Sequence, residues 1–133
     1  MNYKLKLAVF ALTLSIFNCK SATIEKNITE TNALVMALHN ETMARHGEIM
    51  GLVEELKNKT SDTGNASGIL VDSIRTELDG LNEEMMDWMA EYEEPDTKDE
   101  VALNYLKEQA DILNKLKSAQ IQNIEAAKRI LQK

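Results

Sequence analysis

The sequence predicts an all-α fold: an antiparallel three-helix bundle preceded by a signal peptide and a short polar tether. Two observations predict the helices. The chain has one proline, five glycines and no β-branched alternation typical of strands, and three long segments repeat apolar residues at intervals of three and four. Amphipathic helices with short connections bury their apolar faces together, so an antiparallel bundle is the expected architecture.

Residues 1–18 are predicted to be a signal peptide. Lys4 and Lys6 precede an uncharged apolar stretch, residues 7–17, as in the charged and apolar regions of secretory signals. This stretch is too short to cross a bilayer, which takes roughly 20 apolar residues. We therefore expect export and processing rather than a membrane-spanning helix.

Cys19, the only cysteine, directly follows this segment. The sequence Ile16-Phe17-Asn18-Cys19 resembles the lipobox of bacterial lipoproteins, in which the thiol receives a diacylglycerol and the chain is cut before it. Such a role accounts for an odd cysteine in an exported chain, and two acyl chains suffice for stable anchoring. We expect Cys19 to be the lipidation site and residues 19–30 to form the lipidated N-terminus and an extended polar tether.

The remaining residues, 31–133, are predicted to form one acidic domain. Residues 1–18 hold two basic and no acidic residues, so their removal changes the formal net charge from −7 to −9. Such a surface repels nucleic acids and anionic headgroups. We expect no nucleic-acid partner, contact with the membrane only through the lipid anchor, and a location in the bacterial cell envelope, facing the periplasm or the cell surface.

The first and second helices are predicted at 31–59 and 68–93, with a polar loop at 61–67 between them. The stripe of the first helix comprises Val35, His39, Thr42, His46, Ile49, Val53 and Leu56. The stripe of the second helix comprises Ile74, Leu78, Leu81, Met85, Trp88 and Tyr92. Pro95 ends the second helix.

The third helix is predicted at 98–132, and its N-terminus fits a capping box formed by Thr97 and Glu100. Its apolar face, which Lys117 and Gln120 interrupt, comprises Leu103, Leu106, Ala110, Leu113, Leu116, Ile124, Ala127 and Leu131. This helix is longer than the second. The alternative architecture is therefore a homo-oligomer, in which the C-terminal turns of the third helix protrude and contact a second copy.

A repeat at the heptad period supplies the candidate metal ligands. It reads Met36-Ala37-Leu38-His39, Met43-Ala44-Arg45-His46 and Met50-Gly51-Leu52-Val53, and Met85, Met86 and Met89 surround Trp88 on the second helix. Thioethers and imidazoles suit monovalent copper, and imidazole suits zinc. The candidate ligands are His39, His46, Met36, Met43, Met50, Met85, Met86 and Met89. Methionines also fill helical cores, so core packing without a cofactor is the first interpretation and copper or zinc binding the alternative.

The two histidines of the repeat cannot bind one ion together, because seven residues separate them by about 10 Å along a helix. Each would need partners from a neighbouring helix. The acidic residues between Glu91 and Glu100 follow no calcium-loop pattern and are interpreted as a solvated surface.

The sequence favours a non-catalytic role. It contains no glycine-rich phosphate loop, and no serine or cysteine nucleophile has a histidine partner outside the helical stripe, so we expect no enzyme activity. The first hypothesis is interaction with an unknown protein partner or structural support at the envelope. A copper or zinc buffer or sensor and a small envelope chaperone with a methionine-rich face are the alternatives.

The lipobox, the polar segment after it, His39-Asn40-Glu41-Thr42-Met43 and Met85-Met86-Asp87-Trp88-Met89 together resemble small helical lipoproteins of the Bacteroidetes envelope. The resemblance implies an envelope location. It implies no particular activity, because proteins of this kind share a helical composition rather than a chemistry.

Overall fold

The protein is all-helical over the residues that the structure, a computed structural model, describes: the backbone of residues 3–60 and 66–132 and the side chains of residues 21–59 and 68–132. The helices are α1 (Tyr3–Met43), α2 (His46–Thr60), α3 (Ala66–Glu91) and α4 (Glu100–Leu131). Residues 61–65 of the predicted loop lie outside the described part. None of the described helices is long and apolar enough to cross a membrane.

The helices form the predicted antiparallel three-helix bundle, in which α1 and α2 together make one rod. α4 runs parallel to this rod, because its start and its end contact the matching ends of the rod. Lys98 Nζ lies 2.5 Å from Glu25 Oε1, and Lys59 Nζ donates to the Ile130 carbonyl at 2.8 Å. α3 runs antiparallel to the rod, because Tyr92, which directly follows the end of α3, contacts Asn32 near the start of the bundle.

Two apolar clusters fill the bundle. The proximal core, on the side of Cys19, comprises Val35, Leu38, Met85, Trp88, Leu106, Ala110, Leu113 and Leu116. The distal core comprises Ile49, Leu52, Leu56, Val71, Leu78, Ile124 and Ala127. Full burial of a leucine side chain stabilises the folded state by roughly 1.5–3 kcal/mol relative to leaving it exposed. All three predicted stripes supply residues to these cores, and Val35, Ile49 and Leu56 are those from the first predicted helix.

The first predicted helix, 31–59, is interrupted at residues 44–45. The Thr42 hydroxyl donates to the Leu38 carbonyl at 2.7 Å, a back-bond that bends helices. The amide of Arg45 then donates to the Thr42 carbonyl at 3.2 Å, three residues back instead of four. The Glu41 carbonyl, which this leaves without its usual amide, accepts from the Arg45 guanidinium.

The stripe predicted for the first helix is wrong at three positions. His39, His46 and Val53 are only half-buried, whereas Leu38 and Leu52 are 6% and 7% exposed. Each leucine precedes a predicted stripe residue, so the buried face is rotated by one residue. Apolar leucine gains more from burial than imidazole, which keeps its polar nitrogens near water at the edge of the interface.

The segment predicted as an extended tether is helical, because α1 begins at Tyr3 and continues through residues 19–30 without a break. Ile28 packs against the proximal core, and Glu25 pairs with Lys98. The sequence of this segment has no apolar period. One isoleucine and one ion pair nevertheless join the segment to the bundle.

The N-terminal end of α4 differs from the prediction, whereas its C-terminal end, Leu131, lies one residue from the predicted end. Its N-cap is Asp99, whose carboxylate accepts from the Ala102 amide at 3.0 Å, instead of Thr97. At the other end Ile130 and Leu131 pack against the distal core. The C-terminal turns of α4 therefore pack within the bundle instead of protruding.

Candidate functional site: a methionine and histidine seam

The candidate metal ligands of the first predicted helix are spaced by three and four residues on α1 and on α2, and this spacing keeps them to one flank within each helix. In chain order they are Met36, His39, Met43, His46 and Met50. This flank faces α3, where His46 contacts Asn82 and the His39 ring lies near Trp88. We call this flank, together with Asn82, Met86 and Met89 of α3, the Met/His seam.

The upper level of the seam is a chain of hydrogen bonds through one asparagine. His46 Nδ1 donates to Asn82 Oδ1, and Asn82 Nδ2 donates to Met50 Sδ at 3.7 Å. An amide can accept and donate at once, so Asn82 satisfies both the imidazole and the thioether. One feature of the sequence points to Asn82. Met86 and Met89 of α3 follow it by four and seven residues, so all three lie on the same flank.

The lower level is built on an aromatic contact. The ring centroids of His39 and Trp88 lie 5.6 Å apart at a tilt of 32°. His39 Nδ1 is 3.2 Å from Asn40 Oδ1, and because that oxygen only accepts, Nδ1 carries the hydrogen and Nε2 the lone pair. Trp88 Nε1 donates to Gln109 Oε1 at 2.8 Å, which holds the indole against α4.

The three methionines of α3 have two different environments. Met85 is 1% exposed and packs in the proximal core as an apolar side chain. Met86 and Met89 are 36% and 37% exposed. Their spacing of four and three residues from Asn82 and from each other places them on the flank that faces α1 and α2.

The structure therefore brings together only part of the predicted ligand set. His39 and His46 contact different residues of α3, as their separation requires. Among the described side chains, no three histidines, aspartates, glutamates or cysteines are grouped so that they could hold a metal ion, the acidic residues after Glu91 included. Cys19 lies outside the described side chains, so its lipidation stays a prediction.

Comparisons with protein-family models, with curated proteins and with solved structures find no match to this chain.

A buried polar layer separates the two cores. Thr42 lies along α1 between Leu38 of the proximal core and the start of α2, and it is fully buried. Gln120 lies on α4 between Leu116 and Ile124, is 1% exposed, and its Oε1 has no hydrogen-bond partner. The sequence marked Gln120 only as an interruption of the apolar face, and its complete burial was not predicted.

Tyr92 connects the seam to the acidic end of the bundle and fixes the direction of α3. Its ring stacks on Trp88 at 4.7 Å, and its hydroxyl donates to Asn32 Oδ1 at 3.1 Å. Asn32 Nδ2 in turn donates to Glu94 Oε1 at 2.8 Å. Burial, and then the negative charge of Glu94, raise the pKa of Tyr92 above its ordinary value, so the phenol remains a neutral donor.

Proposed function

We propose that the protein is a lipid-anchored cell-envelope protein with a non-catalytic interaction or structural role. The observation that carries the proposal is that residues 21–30, which follow Cys19, are helical and lead directly into the bundle as part of α1. An anchor at Cys19 would therefore be joined to the domain by a helix instead of a flexible chain.

The length of the rod supports a presenting role. From Cys19 to the end of α2 at Thr60, a rise of 1.5 Å per residue gives roughly 60 Å. The mature chain, with a formal net charge of −9 after loss of residues 1–18, is repelled by anionic headgroups. The distal core would then be held away from the membrane surface.

Exposed apolar side chains support an interaction role. Ile69 near the start of α3 is 76% exposed and Leu70 is 56% exposed, at the end of the bundle remote from Cys19. Groups of exposed apolar side chains are typical of surfaces that contact other proteins.

The proposal is tested in cells with a photoreactive amino acid at position 69 and with acyl-chain labelling at Cys19. We expect the native chain to incorporate labelled fatty acid and to give a discrete cross-linked product in the membrane fraction. Cys19→Ser should lose the label, remain unprocessed and lose the product. Thr76, an exposed polar position on the same helix, is the matched control position and should give no product.

Unchanged labelling, processing and membrane fractionation in Cys19→Ser would contradict the anchor. Labelling without any cross-linked product at position 69 would contradict the interaction role at this end of the rod.

A further inference from the structure

The upper level of the Met/His seam shows an arrangement that the heptad repeat of α1 extends to the lower level. At the upper level a single residue of α3, Asn82, contacts a histidine and the methionine four residues after it, His46 and Met50. The heptad repeat of α1 supplies the same pair of residue types seven residues earlier.

The partner of that earlier pair follows from the antiparallel register. A step of seven residues towards the N-terminus of the rod leads to His39 and Met43. The same step on α3 runs towards its C-terminus and leads from Asn82 to Met89. The ring contact of His39 with Trp88, which precedes Met89 by one residue, places His39 at this level of α3.

The chemistry of the lower level differs from that of the upper level in one respect. Asn82 has hydrogens to donate, whereas the thioether of Met89 has none. His39 uses its ring hydrogen on Asn40 and keeps a lone pair on Nε2. In this register the lone pair of His39 Nε2 and the sulfurs of Met43 and Met89 belong to one level of the seam. All three are electron-pair donors, and none of them carries a hydrogen.

We propose that the lower level of the Met/His seam binds one soft monovalent cation, Cu(I) or Ag(I), through His39, Met43 and Met89. Thioether and imidazole ligands select such ions over harder divalent ones. Met86, three residues before Met89 on the same flank and 36% exposed, supplies a further sulfur at the open side of the site. The hydrogen bond from His39 to Asn40 orients the ring and raises its basicity as a ligand.

The other predicted ligands are outside this site. Met85 is buried in the proximal core, and His46 and Met50 are satisfied by Asn82. The site is independent of the anchor at Cys19 and adds a metal-binding activity to the proposed interaction role.

The experiment is a titration of the full-length chain in detergent with silver nitrate in chloride-free buffer, followed by the fluorescence of Trp88. Every sample carries Cys19→Ser, because a thiolate binds Ag(I) on its own. We expect saturable quenching at about one ion per chain. Met43→Leu and Met89→Leu, which preserve side-chain size, should each raise the Kd at least about tenfold. Met50→Leu, at the same heptad position of the upper level, is the matched control and should leave the Kd unchanged.

A gain of binding tests the same geometry. Asn82→Met makes the upper level equivalent to the lower one, so the number of bound ions should rise to about two per chain, measured by mass spectrometry under native conditions. Met50→Leu added to Asn82→Met should remove the second ion.

Absence of saturable quenching overturns the proposal. Equal Kd values for Met43→Leu, Met89→Leu and Met50→Leu overturn the ligand assignment, provided that circular dichroism shows all three variants to be folded. An unchanged stoichiometry in Asn82→Met overturns the equivalence of the two levels.

Discussion

At the scale of single residues, Gln120 is the position where the core departs most from apolar packing. Its side chain lies inside the bundle with an unpartnered Oε1, although Leu116 and Ile124 on the same face pack in the two cores. A buried polar atom without a partner costs about 1–3 kcal/mol. Polar groups in helical cores are retained in several systems because they fix helix register, and the layer with Thr42 fits that role.

Gln120→Leu is expected to raise the free energy of unfolding by about 1 kcal/mol, because leucine has similar length and removes the unpaired oxygen. The measurement is urea unfolding of the full-length chain followed by circular dichroism. Gln122→Leu makes the same change at an exposed position two residues later and should have an effect near zero. A loss of stability in Gln120→Leu would show that the amide holds the layer together through its other atoms.

At the scale of elements, the helix ends are decided by individual hydrogen bonds. The capping-box pattern pointed to Thr97, but the structure places the cap two residues later, where Asp99 accepts from the Ala102 amide. A carboxylate at this place also interacts favourably with the positive end of the helix dipole. The interruption at residues 44–45 likewise depends on the hydroxyl of Thr42, which no periodic pattern records.

Asp99→Ala should lower the free energy of unfolding by about 1 kcal/mol, because it leaves a helix amide without its acceptor. Thr97→Ala, which the capping box would make the costly change, should have little effect. Thermal unfolding of both variants decides between the two caps. If Thr97→Ala proved the more destabilising, α4 would begin earlier in solution than at Glu100.

At the scale of the whole molecule, the rod formed by α1 and α2 packs with α3 and α4 into a bundle with two cores. The proximal core lies towards Cys19, and the distal core lies beyond the interruption of α1 and α2. This arrangement gives the molecule two unlike ends: an acidic end near residues 91–100 and an end at Ile69 with exposed apolar side chains.

A rod that stands on the membrane predicts distance-dependent energy transfer to acceptors among the lipids. A fluorescent amino acid at Lys26 would lie roughly 10 Å along the helix from Cys19, and one at Asn58 roughly 60 Å. In vesicles that carry the lipidated chain, transfer should be strong from position 26 and weak from position 58. Equal transfer from both positions would mean that the rod lies along the membrane surface.

Local sequence patterns predicted the parts of the fold that depend on periodicity alone. The spacing of Leu78, Met85 and Trp88 was sufficient to identify the buried face of α3, and the face of α4 from Leu103 to Ala127 was identified in the same way. The first helix was less accurate, because Leu38 and His39 are adjacent and either one completes a heptad with Val35 and Thr42. Only the packing of three helices selects between two faces that differ by the rotation of one residue.

The candidate site was likewise predictable from the sequence only in part. The sequence by itself determined that methionines and histidines share a flank of the first helix, since the heptad repeat is a property of one segment. Only the tertiary structure decided which α3 residue contacts each histidine of this repeat. Contacts between helices depend on their relative register, and it is this register that places Asn82 beside His46 and Trp88 beside His39.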